Sequence, residues 1–401
     1  MEYRMVRRLE AHFSAFWALY WGGWAVIWGC LSVFLLSHGF TNSQIGIISS
    51  CALLLPLLVQ PPLASLADRS RHFTSRILSI TLTAVILACA AAVCFSGSSR
   101  PAITVLFVVI GVAITCIPSF FNAMSMDYVL RGVPVNFGAC RSCGSIAYAA
   151  VSLLIGAVLE RVSPACLPPI FLVFFTGLFL SLLLFRYPLP PLRASGEKTA
   201  PQVLSNPALL RRYPAYSLML LSCCLLLAAH TPTASYMIHI VGKAGGSEST
   251  MGTALFLSGM VELPALLLFS RFRRKLPLPA LLCLCAGGFL LRNVLFLLAQ
   301  STLTIYIASA MQFFSFGLYI PASVYYVTES IDTANQVKGQ ALLQLASSGI
   351  GAAVGSLISG RLLDTAGVGG MLMFCCLCAA AGLTAMVLAM YFHHRKGVPS
   401  L

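Results

Sequence analysis

Long apolar runs alternate with short polar breaks along almost the whole chain. The runs fall near residues 12–37, 44–66, 76–96, 102–127, 138–160 and 165–186. A second set falls near 214–241, 249–270, 279–299, 302–327, 339–361 and 369–392. Crossing a bilayer takes about 20 apolar residues in helix, so the pattern predicts twelve transmembrane helices. The first run follows the basic segment MEYRMVRR. It is longer than the apolar core of a signal peptide, and no small-residue cleavage site follows it. It therefore reads as the first span.

The polar breaks orient the chain. With the N-terminus in the cytoplasm, nineteen of the 25 Lys and Arg residues fall on that side. Arg100, Arg161, Lys243 and Arg361 fall outside, and Arg141 and Arg292 fall within spans. Twelve spans then place both termini in the cytoplasm. Composition agrees. Of 401 residues, 59% are hydrophobic and 9% charged, and mean hydropathy is +0.90. A soluble domain carries about 25% charged residues. The net charge of +14 is thereby assigned to topology and to attraction for anionic lipid, not to nucleic acid. All fifteen Cys lie in or at the ends of spans, where they act as small apolar residues. The spacing of Cys140 and Cys143 has no second pair to complete a metal site.

The longest polar stretch, 188–213, contains Pro-Leu-Pro-Pro and then Arg-Ala-Ser-Gly-Glu-Lys. It reads as a cytoplasmic linker between two six-helix bundles, 1–187 and 214–401. The halves show weak similarity. Ser43-Gln-Ile-Gly46 opens the second span, and Ser249-Thr-Met-Gly252 opens the eighth, 206 residues later. Six plus six with parallel repeats is an architecture of secondary transporters.

After the second span comes Ala64-Ser-Leu-Ala-Asp68-Arg69-Ser-Arg71. It is similar to the loop signature G-x-L-A-D-R-x-G-R of the major facilitator superfamily, with Ala64 and Arg71 replacing the two glycines. That resemblance implies an all-α integral membrane fold and a gate-bracing role for Asp68 and Arg69. Phe137-Gly-Ala-Cys-Arg141-Ser-Cys-Gly144-Ser-Ile-Ala-Tyr148 is similar to a fifth-helix segment of the branch holding the lactose and phenylpropionate permeases. Glu262 and Arg292 fall where that branch keeps a Glu and an Arg for substrate and coupling. The resemblance implies that Arg141 binds substrate and that Tyr148 stacks on it. The branch's helix-four carboxylate would fall at Ala123, and its helix-ten His and Glu at Gln312 and Ser315. Lactose itself is therefore not implied.

The charges inside spans can be read without the family. A charge at mid-membrane is costly, so it pairs or faces a water-filled cavity. Glu262 and Arg292 are equidistant from Pro277, in the turn between spans eight and nine. Helices rise equally per residue, so the two lie at equal depth and can pair or share a cavity. Asp127 and Arg141 are likewise equidistant from Pro134, but only seven residues from it. Static salt bridges are the alternative to substrate contact. A carboxylate in such a place can carry a proton, which makes Glu262 the first candidate proton carrier and Asp127 the second.

All four Trp lie in the first span: Trp17, Trp21, Trp24 and Trp28. Their 4-3-4 spacing forms one stripe, suited to stacking on a sugar or aromatic substrate, or to packing. His230 and Gln312 are further polar candidates within spans, with Gln60, Asn122 and Asn293 behind them. Pro61-Pro62 is expected to break span two, and Pro232 to kink span seven. No phosphate-binding loop and no hydrolase or metalloprotease motif occurs, so no cofactor and no enzymatic activity are expected. The fifth span lacks the Gly-Pro pair common in drug exporters.

The sequence thus predicts a monomeric, proton-coupled symporter in a bacterial cytoplasmic membrane, importing a small polar solute such as a sugar or glycoside. A nucleoside or aromatic-acid permease, an exporter, and a membrane sensor or scaffold are the alternatives.

Overall fold

A computed structural model describes residues 2–69, 73–95, 99–187, 205–332 and 335–395. Side chains are not described for residues 2–4, 68, 69, 130 and 393–395. Asp68 and Arg69 close the Pro56–Arg69 helix, but their side chains lie outside the described residues. So does most of the 188–213 stretch.

Every regular element among the described residues is helical. Eleven of these helices are long and apolar enough to cross a membrane. The last, Gln336–Phe392, runs for 57 residues, more than twice the about 20 that one crossing needs. It is divided at Gly367, whose φ of 68° no helix permits. The outer faces are apolar: Leu267 is 82% exposed, Leu58 73% and Leu184 72%. Continuous apolar surface on helices of this length fits a lipid solvent.

The chain forms two compact units. One comprises residues 1–40 and 48–197, the other 41–47 and 198–401. The Asn42–Leu54 helix therefore begins in the second unit and continues in the first. In the first unit Glu2–Ile27 packs on Phe137–Leu159 and on Leu167–Leu184. Gly22 and Gly23 let it approach the rings of Phe174 and Phe175. In the second unit Pro214–Ser235 packs along Ala352–Arg395, where Gly351 and Gly355 press on the carbonyls of Cys224 and Ala228.

The spans are interrupted at defined places. The first breaks at residues 28–30, between Glu2–Ile27 and Leu31–Ser37. The second breaks at Leu55, ahead of Pro56, and runs unbroken through Pro61 and Pro62. The expected break thus moves upstream. A proline preceded by a break loses no helical hydrogen bond, and both later prolines keep a helix-compatible φ. Pro232 lies inside Pro214–Ser235, and the helix ends four residues later at Tyr236. Span ten carries an interruption without proline, at 311–315, where Ser315 has φ −86° and ψ −97°. Span eleven contains a π-helical run, Leu345–Gly351.

The weak 206-residue repeat has a conformational counterpart. Gly39 and Gly245, 206 apart, share left-handed φ values of 76° and 73°. Each precedes a reciprocal N-terminal cap. Thr41 and Gln44 exchange side-chain and backbone bonds of 3.3 and 3.0 Å. Ser247 and Thr250 form the equivalent box. Adding side chains at the tight glycines is expected to overpack the second unit. Gly351→Val and Gly355→Val should each destabilise by about 1–3 kcal/mol, seen as a lower melting temperature in detergent. Gly287→Val, with nothing within 4 Å of its site, should leave it nearly unchanged.

Candidate functional site

Of the polar side chains singled out inside the spans, Arg141 meets the tryptophan stripe in the first unit, and in the second His230 meets Arg292 and Gln312 meets Glu262. In the first unit, Asn136 caps the Phe137–Leu159 helix, accepting from the Ala139 amide at 3.1 Å. Its own N–H donates to Glu10 Oε1 at 2.8 Å, which ties the helix start to Glu2–Ile27. That junction sets the register in which Arg141 meets the tryptophan stripe. The Arg141 guanidinium lies 4.6 Å from the Trp17 ring centroid and 4.8 Å from that of Trp21. A cation held over two indoles is stabilised by both ring faces. Gly144, one turn on, makes room: an added Cβ would sit 2.5 Å from Trp21 Cδ1. Tyr148 meets Trp21 edge-on at 6.2 Å.

The stripe continues as tilted contacts from Trp21 to Trp24 at 5.7 Å and from Trp24 to Trp28 at 5.5 Å. Trp17 is fully buried against Phe121 and Phe137, and Tyr20 donates to the Ile114 carbonyl at 3.0 Å. The stripe is thus packed at its Trp17 end and half-buried at Trp21 and Trp24. The indole N–H groups of Trp17 and Trp21 are buried without a hydrogen-bond acceptor, so both can donate to an incoming oxygen. Asp127 lies in the last turn of Arg100–Leu130, half-buried.

In the second unit the two expected partners each have a different close neighbour. Arg292 is 2% exposed, and its Nη1 donates to His230 Nδ1 at 2.6 Å. Arg has no acceptor, so Nδ1 must present its lone pair and the imidazole carries its proton on Nε2. His230 is stacked on Phe316, with centroids 4.5 Å apart and an interplanar angle of 13°, and edge-on to Phe289. Arg292 also lies 5.2 Å from the Phe296 ring centroid. Glu262 accepts from Gln312 Nε2 at 2.7 Å.

The interruption at 311–315 builds this second contact. Gly288 faces the Phe314 and Ser315 backbone, where an added Cβ would sit 2.9 Å from the Phe314 carbonyl carbon. Gly317 lets the same segment approach Ala265 and the Glu262 backbone. Gln312 is thereby brought to Glu262, with its Oε1 buried and unbonded. Asn293 is held similarly: its Nδ2 donates to the Phe289 carbonyl at 2.8 Å, and its Oδ1 is buried without a partner. Phe289 and Phe316 were not legible as site residues. The Ser-Phe-Gly sequence beside Gln312 was the available signal.

These geometries are those of a transporter framework, and the comparisons place it. The model of the MFS_1 like family matches residues 11–374. The chain belongs to that family, within the major facilitator superfamily. It is similar to the maltose permease of Geobacillus stearothermophilus, 26% identical and covering 94% of this chain and 93% of the relative. The uncharacterized transporter YwbF of Bacillus subtilis (strain 168) is 24% identical, covering 86% and 84%. Among solved structures, nucleoside transporter NupG superposes with a TM-score of 0.74 at 14% identity, covering 96% of this chain and 98% of that one. An auto inhibited POT family peptide transporter also gives 0.74, at 12% identity and 98% coverage of both chains. These structures share the fold. The protein is a multi-pass membrane transporter of this type.

Because all four tryptophans lie within residues 17–28 of the first span, intrinsic fluorescence reports on this part of the first unit alone. Arg141→Gln removes the cation from two indole faces and should change the emission maximum and quenching of the purified protein. Arg292→Gln, in the other unit, should leave the spectrum unchanged.

Proposed function

We propose that the protein imports a small neutral polar solute, a sugar or glycoside, by alternating access coupled to protons. The observation that carries the reading is the cluster of Trp17, Trp21, Arg141 and Tyr148. Aromatic faces stack on the apolar C–H face of a pyranose, while a guanidinium and two unbonded indole N–H groups donate to its hydroxyl oxygens. Donors set among aromatic walls match the hydroxyls and the C–H face of a polyol. The name of the maltose permease relative supports the same class.

Glu262 is assigned the proton. It is the acidic residue nearest mid-span in the second unit, and it accepts from the Gln312 amide. Protonation would weaken its acceptance from Gln312 and free the amide for substrate, which couples the two ligands. Asp127 is the second candidate. We further place twelve crossings, both termini and the linker as the basic loops dictate, in a bacterial cytoplasmic membrane, with gating by Asp68 and Arg69.

Proteoliposomes offered labelled maltose, uridine and phenylpropionate test the substrate class. Uptake of maltose, accelerated by an inward proton gradient, is expected. Preference for uridine or phenylpropionate moves the protein to the nucleoside or aromatic-acid reading, and extrusion from inside-out vesicles to an exporter. Glu262→Gln should abolish gradient-driven accumulation while leaving exchange of internal for external maltose within a few-fold of wild type. Intact proton-driven accumulation in this variant would reassign the carrier.

A further inference from the structure

The Asp364 carboxylate receives four hydrogen bonds from two adjacent residues more than 300 positions earlier in the chain. Oδ1 accepts from the Asn42 amide at 3.1 Å and from Asn42 Nδ2 at 2.9 Å. Oδ2 accepts from the Ser43 amide at 2.7 Å and from Ser43 Oγ at 2.6 Å. Asn42 and Ser43 are the first residues of the Asn42–Leu54 helix, so the carboxylate neutralises two orphan amides at a positive helix end.

Local helix stability does not require this contact. The helix already has its own reciprocal cap from Thr41 and Gln44. Its repeat counterpart at Ser247 and Thr250 is closed by a box of the same kind. The four bonds to Asp364 are thus additional to a finished helix start, and they bind the 41–47 segment to the rest of the second unit.

The surface beneath is built for contact without interlocking. Gly46 lies against the Ser356 carbonyl, where an added Cβ would come to 2.8 Å, and Gly360 lies against the Asn42 carbonyl. Tyr236 donates its hydroxyl to the Asn42 and Ser356 carbonyls at 3.2 and 3.4 Å. Backbone and glycine meet closely here, and the polar bonds that hold the segment's first residues end on exposed Asp364. Such bonds exchange readily for bonds to water, whereas interdigitated apolar packing does not.

We propose that Asp364 is a releasable latch on the 41–47 segment, and that this segment undocks from the second unit once in each transport cycle. The proposal rests on the alternating-access reading for its role in the cycle, but the latch itself is measurable without substrate. The test is hydrogen–deuterium exchange on the purified full-length protein, comparing wild type with Asp364→Ala, Asp364→Asn and, from the other side, Ser43→Ala. Exchange of the amides of Asn42 and Ser43 is expected to rise by about tenfold or more in Asp364→Ala, less in Asp364→Asn, with the remainder of 198–395 unchanged. Asp364→Glu is expected to restore part of the protection. Unchanged exchange over 41–47 in both Asp364 variants overturns the latch, as does a rise spread through the whole second unit. Counterflow of labelled maltose in proteoliposomes then tests the cycle. An altered rate in the variants with raised local exchange supports undocking during transport, and an unaltered rate overturns it. Absence of maltose flux in wild type and variants alike counts against the substrate reading, and the exchange data alone then decide the latch.

Discussion

A backbone amide in hydrocarbon has no water to bond, so each span must close its hydrogen bonds along its own axis. That constraint explains why the described elements are helical and why apolar side chains face outwards. It also limits where a helix can break. The interruptions at 28–30, 311–315 and 345–351 leave carbonyls and amides that neighbours must satisfy. At 311–315 the freed groups close on Met311, whose carbonyl accepts from the Ser315 hydroxyl and amide at 3.1 Å each and from the Phe314 amide. Gly288 lets the adjoining helix shield this turn. The broken backbone is therefore affordable only where it is enclosed, and polar side chains beside it gain close partners.

The same constraint governs the charged groups. Arg292 is almost fully buried and cannot lose its charge, and it meets an imidazole lone pair and lies over the Phe296 ring. Glu262 meets an amide donor. Arg141 spreads its charge over two indoles. The contacts described for these three are thus an imidazole, an amide and two indole faces. Each leaves hydrogen-bonding capacity nearby, in the Trp17 and Trp21 N–H groups and in the Gln312 oxygen.

Much of the fold was legible because its signals are long and redundant. Apolar runs of bilayer length, basic loops and the 206-residue offset between Ser43 and Ser249 all survive local irregularity. The candidate site was legible in part. A charge or a tryptophan inside an apolar run is conspicuous, so Arg141, Glu262, Arg292 and the stripe stood out. Phe289, Phe316, Gly288 and Gly317 did not, because phenylalanine and glycine are ordinary in a membrane helix. The hairpin arithmetic placed Glu262 and Arg292 at equal depth; that Gln312 meets Glu262 and His230 meets Arg292 depends on the azimuth of each side chain, which depth does not fix.

The sequence by itself indicated the solvent, the apolar spans, an expected orientation and the short set of polar residues placed within a membrane. These follow from one-dimensional quantities: hydropathy, loop charge and rise per residue. Tertiary structure alone decided which helix breaks, which neighbour answers each charge, and that Asp364 grips the start of the second span. Those outcomes depend on close approach between segments up to 322 residues apart, which glycines permit and periodicity cannot specify.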